Sequence, residues 1–235
     1  MNLIVIEHEA DASAGRLAPH LADDRVTTVR PSAGDGFPPT VDADGVIVLG
    51  GSMGAYEDTK YPWLVEEKAW IAQVVADDVP MLGICLGAQL LAAATGGRAF
   101  RSERQVEAGV YRLHLTDAGR RDPVMPHAGE AVFAVHGDTF ELPPGATLLA
   151  SSDGYIQAFR LGSALGVQFH PETDADCAIG WARSLVAPVL DRAGVTLEHF
   201  TERLRAADAD LDAWAHRFFD AWLDTLGNRP DSAPD

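Results

Sequence analysis

Three short stretches of this sequence hold side chains that can do chemistry, each in a spacing that gives them a role. Gly83-Ile84-Cys85-Leu86-Gly87 sets a cysteine between two glycines, where a short apolar strand runs into a small-residue helix. That is the form of a nucleophile elbow, in which the glycines permit a tight turn that lifts the central side chain above the sheet. Free N–H groups at the start of the following helix point at Cys85 and favour the thiolate, the form that reacts. On the pentapeptide alone, a buried cysteine packed between glycines is an equal alternative.

The second stretch, Gln168-Phe169-His170-Pro171-Glu172, closes another apolar strand. Residues two apart in an extended segment share a face. His170 and Glu172 therefore point the same way, as a base and its orienting carboxylate require. A single histidine beside proline is more often structural, and Glu172 weakens that reading without reversing it. The third is Gly50-Gly51-Ser52-Met53-Gly54, at the carboxyl end of a further strand. Open α/β sheets bind ligands at that edge. Backbone N–H groups there offer a seat for a developing oxyanion, with the N–H of Leu86 as the natural second donor. An ordinary glycine-rich turn is the alternative. No G-x-G-x-x-G or P-loop follows a strand, so no dinucleotide or ATP site is expected.

These stretches need a scaffold, and the chain spells one out. Leu3 to Ile6, Arg25 to Val29, Gly45 to Leu49 and Pro80 to Ile84 read as strands. Helices are expected from Asp11 to about Asp23, after Pro62, and from Ala88 to Ala94, the last stopped by Gly96-Gly97. Pro31 to Thr40 reads as a loop. Alternating strands and helices argue for a parallel sheet covered on both faces. From Ala99 to Phe169 the pattern turns to short strands and turns, which fits antiparallel additions to a mixed sheet. Leu197, Phe200, Leu204, Leu211, Trp214, Phe218 and Trp222 recur at helical spacing, expected as the inward face of a carboxyl-terminal helical pair, with a partner-binding face as the alternative. The fold class is thus α/β: a single flavodoxin-like domain over 1–190 with a central mixed, largely parallel sheet. A helical appendage over 191–228 and a frayed tail at 229–235 complete it.

In chain order, the three stretches resemble the class I, triad-type glutamine amidotransferases, most of all the stand-alone group similar to the glutaminase domain of GMP synthetase. The residues that carry the resemblance are Gly50-Gly51-Ser52-Met53-Gly54-Ala55-Tyr56, Gly83 to Leu91, His136-Gly137-Asp138-Thr139-Phe140 and Gln168 to Glu172, within a span from Leu3 to Arg183. The resemblance implies Cys85 as nucleophile, His170 as general base and acid, and Glu172 as the residue that orients the imidazole. It implies an oxyanion hole from the N–H groups of Gly51 and Leu86. Gly50, Ser52, Gln89, His136 and Asp138 would contact the substrate, a polar turn being the alternative for His136-Gly137-Asp138. Ser52 departs from the proline of many relatives. The ammonia-accepting domains of a complete GMP synthetase are not among these residues. The resemblance thus implies a glutaminase that serves a separate synthetase subunit, with a stand-alone γ-glutamyl peptidase or hydrolase as the alternative. A non-catalytic binding module that kept the fold is the alternative from another class, against which the intact Cys, His and Glu set speaks.

Composition narrows the rest. The 235 residues carry 35 acidic and 18 basic side chains, a formal net charge of −17. Such a surface repels phosphate backbones and anionic lipid, so neither a nucleic-acid nor a membrane-surface role is expected. No apolar stretch approaches the roughly 18 residues of a transmembrane helix, and the short apolar run from Leu3, with no basic region before it, reads as a first strand rather than a signal peptide; a cytoplasmic location is the expectation. Cys85 and Cys177 do not form a disulfide framework, and Cys177 is expected to be a packed core thiol. No cofactor is implied. The eight histidines show no ligand spacing, so no metal site is expected.

Overall fold

The computed structural model describes residues 1–40, 43–103, 106–184 and 187–227. In chain order its elements are β1 (Asn2–Ile6), β2 (Arg25–Val29), β3 (Gly45–Val48), α1 (Trp63–Ala76), β4 (Met81–Ile84) and α2 (Leu86–Ala94). There follow β5 (Arg98–Arg101), β6 (Glu107–Arg112), β7 (His114–Leu115), β8 (Ala131–His136), β9 (Asp138–Glu141), β10 (Thr147–Ser151), β11 (Ile156–Leu161) and β12 (Ala164–Val167). Three helices close the chain: α3 (Ala175–Ser184), α4 (Ala187–Ala193) and α5 (Leu197–Leu226).

Eight strands form one mixed sheet in the order β2-β1-β3-β4-β12-β11-β10-β7. The first five run parallel, and β11, β10 and β7 continue antiparallel. The parallel part has the flavodoxin-like order, with its chain reversal between β1 and β3. Strands β3, β4 and β12 are buried along their whole length, which is why they read as continuous apolar runs rather than alternating ones. Alternation decides only which face each side chain enters. Leu3, Val5, Ile47, Leu82 and Ile84 join one core with α3 and α5; Ile4, Ile6, Val46, Val48 and Met81 join the other with α1 and α2.

Two expectations are corrected. The helix from Asp11 to Asp23 is a seven-residue 3-10 segment, Gly15–Leu21, with Pro19 inside it. Proline has no N–H to give to the carbonyl four residues back and clashes with it, so an α-helix cannot run through this point. The carboxyl-terminal helical pair is one continuous 30-residue helix, α5. Thr196 caps it by accepting the His199 N–H at 3.2 Å, and neither glycine nor proline interrupts it before Gly227. Phe200, Leu204, Leu211, Trp214, Phe218 and Trp222 are all buried in the core, so this face is internal, but Leu197, expected on it, sits in the first turn and is exposed. The expected tail at 229–235 lies outside the described residues.

Candidate active site

The carboxyl ends of β1, β3, β4 and β12 converge, and each strand delivers one part of the site. At the end of β4 the chain turns into α2 through Cys85, whose φ of 51° and ψ of −103° lie where L-residues rarely sit. The flanking glycines are required by contact. A Cβ on Gly87 would come 2.1 Å from the Val48 carbonyl oxygen, and one on Gly83 would meet the Gly87 backbone at 2.7 Å. Helix α2 therefore presses directly on β3 and β4, and the chain passes from strand to helix through the sharp turn at Cys85. The Cys85 N–H donates to the Val167 carbonyl of β12 at 2.8 Å, and the Gln168 side-chain amide donates to its Sγ at 3.4 Å.

His170 follows β12. Its backbone N–H donates to Phe133 O at 2.8 Å, its Nδ1 meets Glu172 Oε1 at 2.7 Å, and the Trp181 and Phe133 rings flank it. Thr173 Oγ1 donates to the same carboxylate oxygen at 3.0 Å. The other ring nitrogen, Nε2, is buried and turned toward Cys85, with no oxygen or nitrogen partner among the described residues. Burial, the largest single influence, favours the neutral ring. The charges of Glu172 and of Cys85 as thiolate outweigh it and raise the His170 pKa well above the ordinary value. Gly50 lies between the two side chains: its Cβ position is 3.3 Å from His170 Cε1 and 3.8 Å from Cys85 Cβ. A Cβ on Gly51 would come 2.9 Å from Leu86 Cδ2, so the two residues expected to supply the oxyanion donors are in contact. All five residues thus come together.

The remaining expected residues divide. Gln89 is buried, lies near Cys85 and donates to Gln168 Oε1 at 3.2 Å. His136 meets the Asp138 carbonyl at Nδ1 and Glu107 Oε2 at Nε2, both at 2.9 Å. Both nitrogens are thus engaged inside the protein, one of them on the Asp138 backbone, and His136 also lines the larger cavity beside Cys85. Asp138 accepts from Tyr56 Oη at 3.1 Å; burial raises its carboxyl pKa and pushes the Tyr56 phenol up to about 12. Cys177 is half-buried rather than a fully packed core thiol, with its pKa pushed up to about 11 by burial, and both cysteines are free.

Sequence reasoning missed what lies beneath the glycine loop. His8, at the end of β1, is fully buried; its Nδ1 bonds the Gly50 carbonyl and its Nε2 bonds Glu67 Oε1, both at 2.9 Å. Burial alone would lower its pKa, but the Glu67 carboxylate and the Gly50 carbonyl together raise it. Since Gly50 C=O and Gly51 N–H belong to one peptide group, this bond fixes where the Gly51 N–H points. A signal was present: Glu67 occupies the inward register of α1 with Leu64, Ile71 and Val74. Glu9 was also missed. Its carboxylate accepts the Ser52 N–H at 2.9 Å and the Ser52 hydroxyl at 2.5 Å, so this serine ties down the loop.

Two cavities meet at Cys85. One, of about 270 Å³, holds charges of both signs: Arg101 and Arg192, with Glu57 and Asp138. The other, about 60 Å³, lies on the His170 side and is walled by Ala12, Val135 and Trp181, with Glu9 at its edge. Among the described residues, no group of three or more His, Cys, Asp or Glu side chains could hold a metal ion, and no helix is long and apolar enough to cross a membrane.

Comparison with known proteins matches residues 25–176 to the family model "Glutamine amidotransferase class-I". Over 129 residues the chain is 37% identical to a GMP synthase (glutamine-hydrolyzing) of Pyrobaculum aerophilum, covering 54% of this chain and only 24% of that protein. Over 182 residues it is 31% identical to a γ-glutamyl-L-1-hydroxyisopropylamide hydrolase of a Pseudomonas species, covering 69% of this chain and 59% of the relative. The crystal structure of a glutamine amidotransferase from Thermotoga maritima superposes with a TM-score of 0.83 at 27% identity, covering 97% of this chain and 99% of the other.

Proposed function

Since the chain belongs to the class-I glutamine amidotransferases, we propose that it hydrolyses γ-glutamyl amides through a thioester on Cys85. The observation that carries this reading is the strained Cys85 turn facing the buried His170–Glu172 pair across Gly50. The 270 Å³ cavity suits the glutamyl group: its arginines answer an α-carboxylate and its carboxylates an α-ammonium.

In the first half-reaction Cys85 Sγ attacks the δ-carbonyl carbon. The N–H groups of Gly51 and Leu86 hold the oxyanion, each donor worth about 3 to 4 kcal/mol in comparable sites. The C–N bond breaks as the His170 Nε2 proton passes to the leaving nitrogen, and a thioester remains. Water then gives a proton to Nε2 and attacks the thioester carbonyl; the C–S bond breaks, glutamate leaves, and thiolate and imidazolium are restored. Glu172 keeps the ring oriented and compensates its charge throughout. His8 and Glu9 position the glycine loop.

In one form of this reading the amine is ammonia, passed to a separate synthetase subunit, as the similarity to GMP synthase suggests. In the other, the amine is organic and the protein acts alone. The apolar cavity on the His170 side and the similarity to an amide hydrolase favour the second. The test is kcat/KM on glutamine and γ-glutamyl amides, with Cys85→Ala as blank, and labelling by a chloroketone analogue of glutamine. Label on Cys85 with Cys85-dependent turnover is expected; hydrolysis retained by Cys85→Ala overturns the assignment.

A further inference from the structure

Resting on that reading, we infer that the small cavity beside His170 is a leaving-group subsite, and that it selects uncharged amines of two or three heavy atoms over both ammonia and amino acids. The chemistry fixes which cavity takes which half of the substrate. The nitrogen that departs must receive the proton of His170, so whatever it carries extends to the His170 side of Cys85. Of the two cavities that meet at the cysteine, only the small one is lined by His170. The larger one, with its four charged side chains, takes the glutamyl half.

The small cavity has the character of a place for carbon. Ala12, Val135 and Trp181 wall it, all three buried, and its volume of about 60 Å³ admits a short alkyl group. An ammonia leaving group would leave this apolar wall without a partner. Besides His170, whose proton goes to the departing nitrogen, its charged residue is Glu9 at the edge, where both carboxylate oxygens accept from Ser52. A leaving group that carries a carboxylate one carbon from the nitrogen would bring it toward the Glu9 carboxylate, and like charges repel. Glu9 thus has two consequences: it anchors the oxyanion loop and it turns away free amino acids.

Two substrates of nearly equal shape test this. γ-Glutamylethylamide and γ-glutamylglycine share the acyl half and the first carbon of the leaving group, and differ as methyl against carboxylate. The ratio of their kcat/KM values cancels what they share, including hydrolysis of the common thioester. Wild type is expected to prefer the ethylamide at least tenfold over γ-glutamylglycine and also over glutamine. Glu9→Gln, which keeps an acceptor for Ser52, should shrink the ethylamide-to-glycine ratio at least fivefold whatever happens to the absolute rate. Ala12→Leu should erase the preference for ethylamide over glutamine. Cys85-dependent cleavage of all three substrates with ratios near one overturns the subsite while leaving the proposed reaction intact. No Cys85-dependent cleavage of any γ-glutamyl amide overturns both.

Discussion

Replacing Cys85 by glycine is expected to give a more stable protein than replacing it by alanine, the reverse of the usual order inside folded elements. Cys85 holds φ 51° and ψ −103°, a conformation costing roughly 1–3 kcal/mol for a residue with a Cβ. Alanine keeps that cost, whereas glycine escapes it. Against this stands the extra freedom of glycine in the unfolded chain, roughly 0.5–1 kcal/mol. Both variants lose Sγ and its bond from Gln168 equally, and the Cβ borders a cavity, so little packing separates them. The net difference is about 1 kcal/mol in favour of glycine, or roughly 2–4 °C in Tm for a chain of this size. Thermal and urea unfolding of the two purified variants at one pH measures it. An alanine variant as stable as the glycine variant, or more so, would show that the turn stores no strain. The close approach of α2 to β3 and β4 would then not be what projects the cysteine.

Gly87→Ala, whose new Cβ would fall 2.1 Å from the Val48 carbonyl, should cost roughly 3 kcal/mol, read as a lowered urea midpoint with unchanged slope. Glu172→Gln removes a charge that raises the His170 pKa, so the alkaline limb of kcat/KM, where the proton donor is lost, should move to lower pH; an unmoved limb contradicts the assignment. His8 also has a raised pKa in the folded protein. Its stabilisation is therefore fully present below about pH 6.5 and lost as pH climbs through the raised value. A His8→Phe, Glu67→Leu double-mutant cycle should show coupling that shrinks as the pH is raised.

The parallel half of the sheet was legible because burial on both faces leaves unbroken apolar runs, and Gly83, Gly87 and the spacing of His170 to Glu172 mark functional turns by their own constraints. What escaped was of two kinds. In the first segment Leu17 and Leu21 are buried at a helical spacing, but Pro19 between them limits the turn to 3-10 form. His8, Glu9 and Glu67 escaped because their roles exist only across the sheet. His8 and Gly50, His8 and Glu67, and Glu9 and Ser52 each lie more than forty residues apart in sequence, and no local pattern announces a buried ion pair beneath a loop.

Arg16 joins parts of the molecule that the sequence keeps far apart. Its backbone N–H donates to the Glu172 carbonyl at 2.8 Å, while its guanidinium spans Thr173 O, Asp208 and Asp212 of α5. The carboxylate behind His170 is therefore braced from both ends of the chain at once, through a single rivet that lies before residue 25 and grips a helix beyond residue 176. The stretch that carries the family's shared pattern is accordingly not a detachable module. Clipping the chain ahead of α5 would take away the Asp208 and Asp212 partners of Arg16 and is expected to loosen the segment that orients the imidazole, read as a lowered Tm together with lost turnover.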